Sequence, residues 1–149
     1  MKIEEEIKQS KFQSEHQKAV INIMFTSGWL YNSHATQLKK YDISPEQFNV
    51  LRILRGSYPK PLMLSEVTCR MIDRASNATR LVEKLRLKDL VKREVCEKSR
   101  RQVDIVITPK GLSLLTTLDN DFDNFEKSIK NITTTEAKEL NRILDKLRK

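Results

Sequence analysis

The side chains of this sequence best able to recognise something are cations. Between Arg70 and Gln102 stand Arg70, Arg74, Arg80, Lys84, Arg86, Lys88, Lys92, Arg93, Lys98, Arg100 and Arg101 against Asp73, Glu83, Asp89, Glu94 and Glu97, so eleven positive charges less five negative ones put +6 of the chain's formal +8 in one stretch. A nucleic-acid duplex presents a phosphate about every 1.7 Å, and concentrated cations gain affinity for it by releasing condensed counterions. Ser76, Asn77, Thr79, Arg80 and Lys84 open and line one face of an expected helix, where Asn can pair with adenine and Arg with guanine in a major groove. Lys98, Arg100 and Arg101 lie in a polar loop, Glu97 to Gln102, between two expected strands. Long guanidinium side chains on a narrow hairpin suit a minor groove. The expected partner is double-stranded DNA. No aromatic residue falls between Tyr58 and Phe122, so the stacking platforms of a single-strand or RNA binder are missing from the basic stretch. The plainer alternative for the same charges is a solvated basic surface on an ordinary core.

Other chemistry finds little support. His16 and His34 are 18 residues apart in one expected helix, about five turns, so they cannot act jointly within one chain. The sequence holds no phosphate-cradling glycine loop, metalloprotease-type histidine pair or paired-cysteine metal motif. No catalytic residue, cofactor or metal is therefore expected. Cys69 and Cys96 are expected to be reduced thiols of minor structural weight. Phe25, Trp29, Tyr31 and Phe48 could line a cleft for a small aromatic effector, or could be core and interface.

The elements that must position the cations follow from periodicity. Ala78, Leu81, Val82 and Leu85 recur at i, i+3, i+4 and i+7, one apolar helical face, with Asn77, Arg80 and Lys84 opposite. Leu64, Val67, Met71 and Ile72 supply a shorter stripe ahead of it, and Ser76 is the expected N-cap of the second helix. Two short helices at a sharp turn make a helix-turn-helix. After Asp89 the apolar residues alternate, at Val91 and Val95 and then at Val103, Ile105 and Ile107, as half-buried strands require. Upstream, Ser44-Pro45-Glu46-Gln47 is a helix start with Phe48, Leu51 and Leu54 facing inward and Gly56 as its end.

Three amphipathic segments lie at the chain ends. From Phe12 to Tyr41, apolar residues keep a helical period over a length of about 42 Å, too long for a small domain to cover alone. Gly28 within it suggests a close-packing point or slight kink, and the charged lead-in before it could extend the helix through Ile3 and Ile7. Thr108-Pro109 starts another helix striped by Leu114, Leu115, Leu118, Phe122, Phe125, Ile129 and Ile132, and a capping box at Thr133 and Glu136 starts the last. Surplus apolar surface on all three implies a second copy of the chain. The expectation is a mainly α fold with a small β-hairpin wing: one domain over residues 1–149, with dimerisation helices at 12–41 and 109–149 flanking a winged helix-turn-helix at 44–108.

At 149 residues, 38% hydrophobic and 32% charged, the chain can bury one modest core. No run approaches 18 uninterrupted apolar residues, and the opening MKIEEEIKQS is acidic with no apolar signal core. No membrane association is expected, and the expected location is cytoplasmic.

The run Ser76-Asn77-Ala78-Thr79-Arg80-Leu81-Val82-Glu83-Lys84-Leu85, then Leu90-Val91-Lys92-Arg93, Arg100-Arg101, Val103 to Thr108 and Gly111 resembles the MarR family of bacterial winged-helix transcription regulators. Ser44 to Leu54 matches that family's helix before the reader, so the resemblance spans almost the whole chain. It implies a twofold dimer presenting two recognition helices and two wings to a pseudo-palindromic operator, with repression the commoner outcome and small phenolic or aromatic effectors as releasing signals. Two positions depart from the family pattern: Ser99 stands where Asp usually precedes the wing arginines, and Asp89 where Gly usually follows the recognition helix. Asp tolerates a left-handed backbone better than most residues, so the turn can survive. Two further readings remain open: a protein-interaction scaffold with an acidic partner, and a sensor that has kept the fold without operator binding.

Overall fold

The computed structural model describes residues 1–95, 103–128 and 131–149. The elements in chain order are α1 (Ile3–Glu6), α2 (Glu15–Leu38), a 3-10 turn (Lys39–Tyr41), α3 (Pro45–Ser57), β1 (Leu62–Met63), α4 (Leu64–Arg70), α5 (Ala78–Leu87), β2 (Val91–Val95), β3 (Val103–Ile107), α6 (Pro109–Ser128) and α7 (Thr134–Leu147). The chain is thus mainly helical with a small antiparallel sheet.

Helix α3 is the centre of the core. Its capping box forms as the residues require: the Ser44 hydroxyl accepts from Gln47 N–H at 3.2 Å and Gln47 Oε1 accepts from Ser44 N–H at 2.9 Å. Phe48, Leu51 and Leu54 are buried as the period predicts, joined by Val50 and Gln47. Gly56 does not end the helix, which runs to Ser57. Against α3 pack Val67 of α4, Val82 and Leu85 of α5, Ile105 and Ile107 of β3, and Leu115 and Leu118 of α6, all fully or nearly fully buried.

The sheet has three strands rather than the expected two. Strand β3 is central, pairing with β2 through Val91↔Ile107, Arg93↔Ile105 and Val95↔Val103, and with β1 through Leu62↔Ile105 and Met63↔Asp104. A two-residue strand carries no alternation to read, so only its pairing reveals it.

Between α4 and α5 two expectations are corrected. The N-cap of α5 is Asn77, whose Oδ1 accepts from Arg80 N–H at 3.0 Å, and not Ser76. The Ser76 hydroxyl instead donates to Asp73 Oδ2 at 2.7 Å, while Asp73 Oδ1 accepts from Ala75 N–H at 3.0 Å. These bonds hold the Asp73 carboxyl below its usual pKa range, the Ser76 hydroxyl first among the causes. Ile72 is 90% exposed although Met71 is buried. Helix α4 stops at Arg70 and Met71 takes an extended backbone, so consecutive side chains diverge instead of sharing a helical face. Ile72 N–H then donates to Asn49 Oδ1 of α3 at 3.0 Å, tying the turn to the core.

After α5, Asp89 adopts a left-handed φ of 58°, and the turn closes with Leu90 N–H on the Leu85 carbonyl at 3.0 Å. The Thr108 hydroxyl donates to the Asp89 carbonyl at 2.7 Å and accepts from Gly111 N–H at 3.1 Å, capping α6. Helix α6 is held to the rest of the fold by carboxylates: Asp119 takes Arg55 of α3 in a two-bond fork, and Asp121 takes the Tyr41 hydroxyl at 2.7 Å and the Lys40 ammonium at 2.6 Å.

At the N-terminus, α1 is a separate short helix with Ile3 buried, joined to α2 by Lys18 and Glu4 at 2.5 Å, so it does not extend the long helix. Helix α2 is continuous through Gly28, where an added Cβ would meet nothing within 4 Å. The expected close packing is absent within one protomer. Of the 24 residues of α2 only Leu38 is buried, and α7 buries none. Val20, Ile23, Met24, Phe25 and Trp29 of α2 and Leu140, Ile143 and Leu147 of α7 stand exposed.

Candidate nucleic-acid interface

Helix α5 turns Ala78, Val82 and Leu85 inward, which leaves Thr79, Arg80 and Lys84 exposed on the outer face. Asn77, Arg80 and Lys84 fall at i, i+3 and i+7 and share one side. The Asn77 side-chain oxygen is used in the cap, so the amide NH2 is the end that can reach outward. Ser76 lies before the helix, half-buried, with its hydroxyl hydrogen on Asp73.

The remaining charges divide into held and unheld. Glu83 accepts from Arg86 Nη2 at 2.8 Å and from Arg86 Nε at 3.2 Å, and pairs with Arg93 Nη1 at 3.2 Å. The Arg86 bond above all holds the Glu83 carboxyl below its usual range. Arg86 and Arg93 are thereby oriented by one carboxylate that links α5 to β2. Arg80 and Lys84 have no carboxylate within ion-pair distance among the described residues, so their charges are available to a partner. Arg74 in the turn and Lys92 on β2 are also exposed. The charge count included both, but no period singled them out. Lys98, Arg100 and Arg101, with Cys96 and Ser99, lie outside the described residues; the hairpin leading to them is paired as far as Val95↔Val103.

Because Asn77 caps α5, Asn77→Ala is expected to cost about 1 kcal/mol of stability, read as a lower urea midpoint with an unchanged slope. Ser76→Ala, lacking a cap to lose, is expected to cost less.

Of the four aromatic residues proposed for a cleft, the structure brings two together. Tyr31 and Phe48 line a cavity of about 410 Å³ with Leu30, His34, Arg52 and Met71. Phe25 and Trp29 do not line it and sit on the exposed face of α2. The Tyr31 hydroxyl donates to Glu46 Oε1 at 2.8 Å, which raises the tyrosine pKa. Phe48 stacks on Phe122 at 4.7 Å, and His34 meets the same ring edge-on at 5.1 Å. Burial lowers the His34 pKa, favouring the neutral imidazole. One wall of this cavity is Met71, Ile72 and Asp73, the turn that sets the start of α5. Among the described residues no cluster of three or more His, Cys, Asp or Glu could hold a metal ion, and no helix is long and apolar enough to cross a membrane.

No family model matches the chain. A curated relative, the HTH-type transcriptional regulator MgrA of Staphylococcus aureus, is 32% identical over 109 residues, 73% of this chain and 72% of that one. Among solved structures, a putative MarR-like transcription regulator from Bacillus cereus is 21% identical with a TM-score of 0.79, covering 90% of this chain and 96% of the other. A MarR family regulator from Streptomyces coelicolor in complex with DNA is 19% identical with a TM-score of 0.77, covering 94% and 90%. The two solved structures share the fold, and the identity to MgrA covers most of both chains. The small sheet, the capped helix α5 and the sequence likeness agree: the chain belongs to the MarR family of winged-helix transcriptional regulators.

Proposed function

We propose that this protein is a sequence-specific double-stranded DNA-binding regulator of transcription, a cytoplasmic homodimer that represses from a pseudo-palindromic operator and is released by a small effector. The observation that carries the reading is the outer face of α5, where Asn77, Arg80 and Lys84 lie together and both cations lack a carboxylate among the described residues. Asn77, Arg80 and the neighbouring Ser76 and Thr79 meet base edges or the adjoining backbone, and Lys84 meets phosphate. Lys98, Arg100 and Arg101 of the wing enter the minor groove. The apolar faces left bare on α2 and α7 support a second copy as the covering partner, and twofold symmetry then presents two readers at one fixed separation. A small aromatic effector in the cavity lined by Tyr31 and Phe48 acts on the Met71–Asp73 wall, and so on the position of α5. Simultaneous docking on two half-sites fails when that spacing changes. This role requires no catalysis and no cofactor.

Fluorescence anisotropy of the protein against its own upstream duplex and a scrambled one, from about 50 to 200 mM salt, tests the reading. A preference of about a thousandfold for the native duplex is expected. Arg80→Ala is expected to lose about 1 to 3 kcal/mol and to relax specificity, whereas Lys84→Ala weakens binding to both duplexes alike and reduces the salt slope by about one. Equal, steeply salt-dependent binding to both duplexes, unaltered by Arg80→Ala, would mean that charge alone is at work.

A further inference from the structure

The outer face of α5 offers hydrogen-bond donors, and Asn77 is the residue at which that polarity has a consequence for sequence. We infer that Asn77 reads guanine through its amide NH2 and does not pair with adenine. This base preference rests on the DNA-binding reading above and deepens it.

An asparagine usually reads adenine because that base offers N7 as an acceptor and its N6 amine as a donor, and a free carboxamide matches both. Asn77 is not free. Its Oδ1 accepts from Arg80 N–H at 3.0 Å and caps the helix. A backbone N–H can bond only to the oxygen end of a carboxamide, so the cap itself fixes which end of the side chain is which. The oxygen is drawn over the first turn of α5, and the NH2, with two hydrogens, remains to an exposed residue. An adenine N6 amine meeting that group would set hydrogens against hydrogens. Guanine presents N7 and O6 in the major groove, two acceptors and no donor. Turning the oxygen toward adenine instead would forfeit the cap.

The neighbouring side chains share this polarity. Arg80 and Lys84 are exposed, donate without accepting, and meet no carboxylate among the described residues. Of the acceptors ahead of the helix, Asp73 is already engaged by the Ser76 hydroxyl and by Ala75 N–H. Asn77 and Arg80 stand about 4.5 Å apart along the helix axis, close to the step of about 3.4 Å between successive base pairs. The two side chains are thus spaced for neighbouring base pairs, each with guanine as its best match.

The test passes a randomised duplex library over the full-length protein, wild type and Asn77→Asp, sequences what is retained, and follows single-base exchanges in the recovered duplex by anisotropy. Asn77→Asp keeps an oxygen for the cap and replaces the donor by an acceptor, and aspartate caps a helix as well as asparagine does. Its urea midpoint is therefore expected to stay at that of wild type, unlike the midpoint of Asn77→Ala. Repulsion between the new carboxylate and phosphate lowers its affinity for every duplex, so the ratio between sequences is the readout. Wild type is expected to retain guanine at the position that Asn77 contacts and to lose about tenfold in affinity when adenine replaces it. In Asn77→Asp the preference there is expected to turn to cytosine, whose N4 amine is a donor, while the guanine whose selection Arg80→Ala abolishes stays. Adenine selected by wild type at the position that Asn77→Asp alters, or preferences unchanged in that variant, would overturn the guanine assignment and leave the DNA-binding reading standing. A library that wild type returns unenriched would overturn both.

Discussion

Replacing Leu140 and Ile143 together by Glu is expected to leave a folded monomer whose affinity for a two-half-site duplex falls by about a hundredfold to ten-thousandfold. The size of the effect follows from geometry: with two readers joined, the second docks as an intramolecular event, and separating the subunits removes that gain without touching a DNA contact. The choice of residues follows from α7, which starts with a full capping box, Thr133 N–H donating to Glu136 Oε2 at 2.7 Å and Glu136 N–H to the Thr133 hydroxyl at 3.2 Å. It nevertheless buries no residue within the protomer, and Leu140 and Ile143 are each 48% exposed with Leu147 at 60%. In the proposed dimer, a helix with so well formed a start and so bare an apolar face is the surface that the second copy covers. A carboxylate at either position would have to be desolvated without a counter-charge in that interface, a cost several times that of the lost apolar contact. Since neither side chain supports the core of one protomer, thermal unfolding should stay cooperative. Sedimentation velocity reads the assembly and anisotropy the affinity. A double variant that remained dimeric would move the interface to α2 alone.

The second large effect is expected at Gly111, where Ala should destabilise the fold by about 2 to 3 kcal/mol. No left-handed backbone is involved, since no glycine here has a positive φ. The constraint is the close approach of the first turn of α6 to the end of the sheet: an added Cβ would fall well inside contact distance of the Leu90 carbonyl oxygen and 2.7 Å from Ile107 Cγ1. That carbonyl already accepts from Thr108 N–H at 3.1 Å, and Ile107 is buried, so neither can yield without disturbing the junction that carries β2, β3 and α6. Gly56→Ala is the internal comparison. Gly56 lies inside α3 with nothing within 4 Å of an added Cβ, so the substitution should stabilise by about 0.5 to 1 kcal/mol through helix propensity and a less flexible unfolded chain. Urea denaturation of both variants reads the opposite signs. A Gly111→Ala midpoint at or above wild type would show that the junction has slack.

Much of the fold was legible because the forces that specify it are local. The apolar period of α5, the capping boxes at Ser44 and Thr133, the proline starts of α3 and α6, and the alternation of β2 and β3 each depend on residues within a few positions of one another. The concentration of cations in one stretch is likewise a property of the chain, as is the choice of Asn77, Arg80 and Lys84 for one helical side. The tertiary structure decided what depends on groups distant in sequence or on competition between neighbours. Ser76 and Asn77 are equally suited to cap a helix, and only the folded chain shows Asn77 taking the cap while the Ser76 hydroxyl donates to Asp73. Strand β1 exists only because Leu62 finds Ile105, and Gly111 is constrained only because α6 meets the Leu90 carbonyl. Glu83 reaches Arg93 across a turn and pairs with that charge, while Arg80 and Lys84 meet no carboxylate among the described residues. Tyr31 and Phe48 share a cavity that Phe25 and Trp29 do not enter, since helical spacing orders side chains around one axis but does not say which part of that surface a neighbouring helix will cover. Periodicity and capping act over one or two turns of chain, whereas pairing, enclosure and steric contact require the positions of residues tens of places apart, which folding alone supplies.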